Sequence, residues 1–184
     1  MKSTLLALLF LFANILLQID SFAKPIDLRC EYLHNPLGVD VSAPRFTWRL
    51  DDVRRGAAQS AYQIWVGTDS VGLLQGKGLA WTSGKILSSQ TLVAYAGKPL
   101  PAFSKFYWAV AAWGSDGQRS VSTTAHFETG VMHASNWKGA WISDTRDVKI
   151  KPAPYFRKTF DTAKKVKSAR AYIAVAGLYE LSIN

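Results

Sequence analysis

The chain has 184 residues, 48% of them hydrophobic, with 22 basic against 13 acidic side chains and one cysteine. A lone cysteine excludes an intramolecular disulfide, so the fold must be held by core packing. The net charge of +9 is uneven, with 11 basic and 8 acidic side chains over residues 24–137 but 10 and 3 over residues 138–170. That excess is scattered among Pro, Asp and aromatic residues rather than set along one helix face, so no nucleic-acid partner is expected. A solvated face, or a patch meeting an acidic surface, is the simpler reading.

Residues 1–23 read as a secretory signal peptide. Lys2 supplies the positive start, residues 5–17 are apolar apart from Asn14, and Ser21-Phe22-Ala23 places small residues where signal peptidase cuts. The apolar run is shorter than the ~20 residues a spanning helix needs, and Cys30 follows Arg29, which does not suit a lipoprotein site. Cleavage leaves 184 − 23 = 161 residues, exported to the periplasm or the medium, with no later segment able to span a membrane.

Beyond the signal, period-2 alternation recurs and no window sustains a 3.6-residue period. Strands are expected over 28–33, 45–50, 61–68, 81–86, 91–95, 105–113 and 124–129, punctuated by Gly, Pro, Asp and Ser. Seven short strands in about a hundred residues predict an all-β fold, two antiparallel sheets packed as a fibronectin type III-like sandwich over residues 24–134. Trp48, Tyr62, Ile64, Phe106, Trp108 and Val110 share the inward parity and form the expected core, and Cys30 reads as a buried structural thiol. Such sandwiches often carry a corner tyrosine after a Leu-Pro. Here Leu100-Pro101 is present, but Phe106 takes the inward position, so the corner bond is missing or supplied by another residue.

Residues 135–184 read as the start of a second, incomplete β-sandwich. Strands are expected over 137–142, 155–160 and 169–184, the last with Ala171, Ile173, Val175, Tyr179, Leu181 and Ile183 on one face. Three strands in fifty residues cannot easily cover both faces of a sheet, and the alternation stops in mid-pattern, as in a sequence that continues past Asn184.

The residues offer little chemistry. A glycosidase needs two flanking carboxylates, but Glu31, Glu128 and Glu180, the only glutamates, have no partner at a suitable spacing. Asp51-Asp52 beside Arg54-Arg55 reads as a solvated charged turn. His34, His126 and His133 lack metal-ligand spacing, no nucleophile elbow occurs, and residues 67–84 match no phosphate loop. No catalytic, cofactor or metal residue is expected. Trp65 and Trp113, on the outward parity, are the rings expected to contact carbohydrate or another domain.

Particular strings add more. Leu33-x-Asn35-Pro36-Leu37-Gly38-Val39-Asp40, Pro44-Arg45-Phe46-x-Trp48, Arg55-Gly56-x-x-Gln59-x-Ala61-Tyr62-Gln63-Ile64 and Trp81-x-Ser83-Gly84-Lys85 are similar to the opening of bacterial α-L-rhamnosidases. The order continues with Tyr107-Trp108-x-Val110, Phe127-Glu128-Thr129-Gly130, Trp137-x-x-x-Trp141-Ile142, residues 153–158 and Gly177-Leu178-Tyr179-Glu180. Two departures stand out, Thr82 and Gly114 at turns where the family often has Asp, which predicts looser turns. The resemblance implies a multidomain, exported, inverting glycosidase that releases terminal α-L-rhamnose from polysaccharides or glycosides. In that scheme the fibronectin-like domain comes first and residues 135–184 begin a sugar-module-like sandwich, while the general acid and base would lie in an (α/α)₆ barrel far downstream, so none is carried onto this chain. The partners so implied are a rhamnose-containing carbohydrate and later domains of the same chain. The competing reading is a stand-alone carbohydrate-binding or scaffolding module without activity.

Overall fold

Short aromatic and β-branched runs fold into eight strands in the computed structural model, which describes residues 23–52, 54–145, 149 and 153–183. The expected signal peptide, apart from Ala23, lies outside the described residues. The chain divides into two compact units between Gly139 and Ala140.

In the first unit, β1 (Lys24–Cys30), β2 (Arg45–Asp51) and β5 (Leu92–Ala94) form one antiparallel sheet. The other sheet runs β4 (Leu79–Thr82), β3 (Gln59–Gly67), β6 (Lys105–Gly114), then β7 (Arg119–Val121) and β8 (Ala125–Glu128) in turn along the far side of β6. The six pairings between these strands are antiparallel, and the isolated bridge Val39–Thr129 is parallel. β4 pairs with β3 rather than joining the three-stranded sheet, unlike the constant-type immunoglobulin arrangement in which four strands face three. This is the fibronectin-like sandwich expected from the turn spacing.

Parity decides the core. All six expected inward residues, Trp48, Tyr62, Ile64, Phe106, Trp108 and Val110, are buried there, joined by Phe46, Val66 and Phe127. The rings interlock: Phe46 lies 4.6 Å from Trp108 and 5.8 Å from Phe127, and Trp48 lies 5.5 Å from Tyr62, centroid to centroid. Such tilted contacts suit aromatic quadrupoles better than face-to-face stacking. Cys30 is buried, and burial pushes its thiol up to about 12, which leaves it inert at neutral pH.

Differences from the expected strands have local causes. β1 starts at Lys24 and ends at Cys30 because Glu31 and Tyr32 take left-handed φ of 49° and 64° and turn the chain. β4 ends at Thr82, where Gly84 (φ 64°) breaks the run and only Ile86 returns to bridge Tyr62. The last strand comes in two pieces. β7 pairs with the end of β6 and β8 with its beginning, and the register slips by one residue between Val121 and Ala125. Ser122 heals that slip: its amide donates to Val110 O (2.9 Å) and its buried Oγ accepts from Val110 N (3.0 Å).

The corner bond is supplied by another residue. Tyr95, buried just after β5, donates its hydroxyl to Lys98 O at 2.9 Å. Thr129 pins the same connection, donating Oγ1 to Pro101 O (2.6 Å) and accepting from Ser104 N (2.9 Å). The two turns lacking Asp are closed as well. Thr82 Oγ1 donates to Ile64 O at 2.8 Å and accepts from Gly84 N at 3.3 Å, and Gly114 exchanges bonds with Gln118 and Gly117.

In the second unit no strand forms among the described residues. Trp141, Tyr155, Phe160, Leu178, Leu181 and Ile183 are exposed. The expected runs at 155–160 and 169–184 alternate, but a strand exists only where a neighbour supplies ladder hydrogen bonds, and none does among the described residues.

Candidate functional site

Of the sandwich's acidic residues, the ones most closely held are gripped by cations, whereas Asp40 and Asp69 accept from backbone amides. Arg45 grips Glu31 through two nitrogens (2.6 and 3.1 Å) while its own amide donates to the same carboxylate. The side-chain hydrogen bond from Arg45 holds Glu31 below the usual carboxylate range. Asp27 is drawn down in the same way by Arg29, with Arg49 and His34 close by. Asp52 falls to about 2, chiefly through its side-chain hydrogen bond from Arg54. Glu128 is 3.7 Å from Lys105. A glycosidase acid needs the opposite, a carboxyl raised so that it keeps its proton near neutrality. Glu180 lies in the second unit. Among the described residues no three His, Cys, Asp or Glu side chains gather as metal ligands, and no helix is long and apolar enough to cross a membrane.

Two other places carry organised side chains. The first is the pole where the sandwich ends. There Asn35-Pro36-Leu37-Gly38-Val39-Asp40 runs beside Phe127-Glu128-Thr129-Gly130, which are far apart in sequence. Val39 N donates to Glu128 O, Gly130 N to Val39 O and Glu128 N to Pro36 O, all within 2.9–3.0 Å. Asn35 Oδ1 accepts from His126 N, and Asp40 Oδ1 accepts from Met132 N at 2.7 Å. The loop thereby covers part of β8, an otherwise open sheet edge. Gly130 permits the fit, since a Cβ there would stand 2.5 Å from Asp40 Oδ1. Beyond it Asn136 Nδ2 donates to Val131 O, so the exit segment is tied down rather than slack.

The second is the outer face of the larger sheet. Trp65 and Trp113 do take the outward parity, with different fates. Residues 68–78, with a 3-10 turn at Leu73–Gln75, fold back so that Leu73 covers Trp65, Ala109 and Ala111, leaving Trp65 only 7% exposed. Trp65 therefore presents no open ring. Parity alone could not reveal this, because the cover comes from a loop with no periodic pattern. Trp113 stays half-buried at the rim of this second cluster. Lys85 Nζ lies 4.6 Å from its ring centroid and Arg119 Cζ 5.5 Å, and Arg119 also lies 5.7 Å from Trp65. Nothing in the sequence placed Lys85 or Arg119 here, because both rely on strand pairing across β3 and β7.

A family model described as the Rha78A-like, N-terminal immunoglobulin domain matches residues 25–133. The chain belongs to this family. The Rha78A-like domain thus fills the first unit, from the start of β1 to the tied exit segment. An α-L-rhamnosidase of Streptomyces avermitilis is 33% identical, the match covering 84% of this chain and 17% of that protein. One from Formosa agariphila is 36% identical, over 84% and 18%. The chain spans less than a fifth of the length of these relatives. Among solved structures, the α-L-rhamnosidase from Dictyoglumus thermophilum matches with a TM-score of 0.63 and 39% identity, over 66% of this chain and 14% of that one. The Streptomyces avermitilis α-L-rhamnosidase complexed with L-rhamnose gives 0.62 and 38%, over 65% and 12%. The Rha78A-like domain here is their N-terminal, non-catalytic part.

Proposed function

We propose that the chain is the opening of an exported α-L-rhamnosidase that hydrolyses terminal α-L-rhamnose from polysaccharides or glycosides. In this reading residues 1–23 direct export and residues 24–134 form a supporting sandwich. Residues 135–184 begin a second, sugar-module-like sandwich that later sequence completes. The observation that carries the reading is the 33–39% identity to α-L-rhamnosidases across the Rha78A-like domain and beyond it. The low-lying, cation-held carboxylates of the sandwich agree with a site located elsewhere. An inverting reaction would place its acid and its water-activating base on opposite sugar faces in a later domain. Trp113 with Lys85 and Arg119 beside it, rather than the covered Trp65, marks where a carbohydrate or a later domain would meet this face.

The test is hydrolysis of an aryl α-L-rhamnoside by the protein encoded by the whole gene, beside the 184-residue chain. Turnover by the former with an inverted anomeric product, and none by the latter, is expected. A whole-gene product without rhamnosidase activity overturns the reading. Export is tested separately by N-terminal sequencing of the protein recovered outside the cytoplasm, which is expected to begin at Lys24.

A further inference from the structure

We propose that the row Lys85–Trp113–Arg119 on the outer face of the larger sheet binds an anionic polysaccharide, one bearing carboxylate or sulfate groups. The strand pairing makes the row. Trp113 stands opposite Ala61 on β3 and Arg119 on β7, and Ile86, next to Lys85, bridges Tyr62 on β3. Lys85 therefore reaches Trp113 from beyond β3 and Arg119 reaches it from β7, one cation on each flank of the indole.

Both cations are exposed, and among the described residues neither lies within ion-pair distance of a carboxylate. Most other arginines of the sandwich differ: Arg29, Arg45, Arg49 and Arg54 each have an acidic partner. A cation over an indole face is attracted to the ring yet keeps its charge directed outward. Arg119 is held by two rings at once, so it loses little freedom when it meets an anion. With Lys85 and Arg119 both close over the indole, a sugar ring stacking on Trp113 would compete with the cations, so recognition here runs chiefly through charge. Carboxylate and sulfate both satisfy a guanidinium and an ammonium set apart in this way. The choice of a glycan over another polyanion rests on the proposed function; the charge asymmetry of the row does not.

The experiment is affinity electrophoresis of the full chain in native gels containing polygalacturonate, dextran sulfate or neutral dextran. Retardation is expected in one or both anionic gels and not in dextran, weakening as salt is raised because the charges are exposed. Which anionic gel retards the chain distinguishes carboxylate from sulfate. K85A/R119A is expected to weaken retardation at least tenfold in apparent Kd. R49A/K98A, which removes the same charge from β2 and the 95–104 connection, is expected to leave it within twofold. Melting curves confirm that both variants fold. Equal losses in the two variants would show a diffuse effect of net charge and overturn the proposal, as would a chain that no anionic polymer retards. Rhamnoside hydrolysis by the whole-gene product is read separately, so either reading can fail without the other.

Discussion

Single side chains in the sandwich carry bonds that no sequence pattern announces. Gln59 is 4% exposed, accepts Trp48 Nε1–H at 3.0 Å and donates to Ser88 O and Gln90 O at 3.1 and 2.8 Å. One amide thus ties a core ring of one sheet to the connection before β5. Gln59→Leu leaves the Trp48 N–H without a buried acceptor, so a loss of about 1–3 kcal/mol is expected in urea unfolding. Trp48→Phe combined with Gln59→Leu should lose less than the two separate changes added, since they share one bond. Asp52 sets an acid limit. Its folded pKa of about 2 lies below the ordinary 3.8, so its pairing with Arg54 stabilises the fold above about pH 4 and is lost as pH falls towards 2. Arg54→Ala should therefore lower the melting temperature at pH 6 and converge with the parent near pH 2. A gap that stays constant across that range would rule out this pair as its source. The sequence showed Asp52 beside Arg54 but could only suggest a solvated turn; the pairing depends on how the chain bends there.

Whole strands were far more legible than their ends. β3 and β6 run for nine and ten residues, long enough for the larger side chains at every second position to mark the inward set. β7 has three residues, Arg119–Val121, too few to alternate, and went unread. Its continuation into β8 depends on Ser122, whose hydroxyl stands in for a backbone carbonyl opposite Val110 N. Ser122→Ala should cost about 1–3 kcal/mol by orphaning that buried amide, whereas Ser122→Thr should recover most of it. The pole around Gly130 shows why ordered motifs can be informative before their purpose is visible. Residues 35–40 and 127–130 are separated by nearly ninety residues, and only the folded sheet reveals that they bond to each other. Gly130→Ala brings a Cβ to 2.5 Å from Asp40 Oδ1 and must displace the carboxylate from Met132 N. Loss of stability is expected, and little further loss when Asp40→Ala is added, because both changes break the same contact. Additive losses would place the strain of Gly130→Ala somewhere other than Asp40.

At the scale of the whole chain, the two units differ in how much apolar surface they can hide. The first encloses Phe46, Trp48, Ile64, Trp108 and Phe127 between two sheets, and truncating Trp48 to Ala should cost ~3–5 kcal/mol. The second keeps its alternating residues exposed among those described, Tyr155 and Leu178 completely. Apolar segments without a ladder partner gain little on folding and invite association between chains. A chain ending at Gly139 should therefore melt at the same temperature as the full chain and stay soluble at higher concentration. Hydrogen exchange should show slow amides confined to β1–β8, the Ser122 slip and the bonded loop at 35–40, with residues 153–183 exchanging at nearly the rate of an unfolded peptide. The exit segment should sit between these limits, because Val131 O, Met132 N and Gly130 O are all bonded while His133 and Ala134 are exposed. Protection across 153–183 equal to that of β6 would mean that this segment finds partners within the chain itself. In that case removing it should lower the melting temperature by several degrees, and the division at Gly139 would no longer mark the end of an independently stable sandwich.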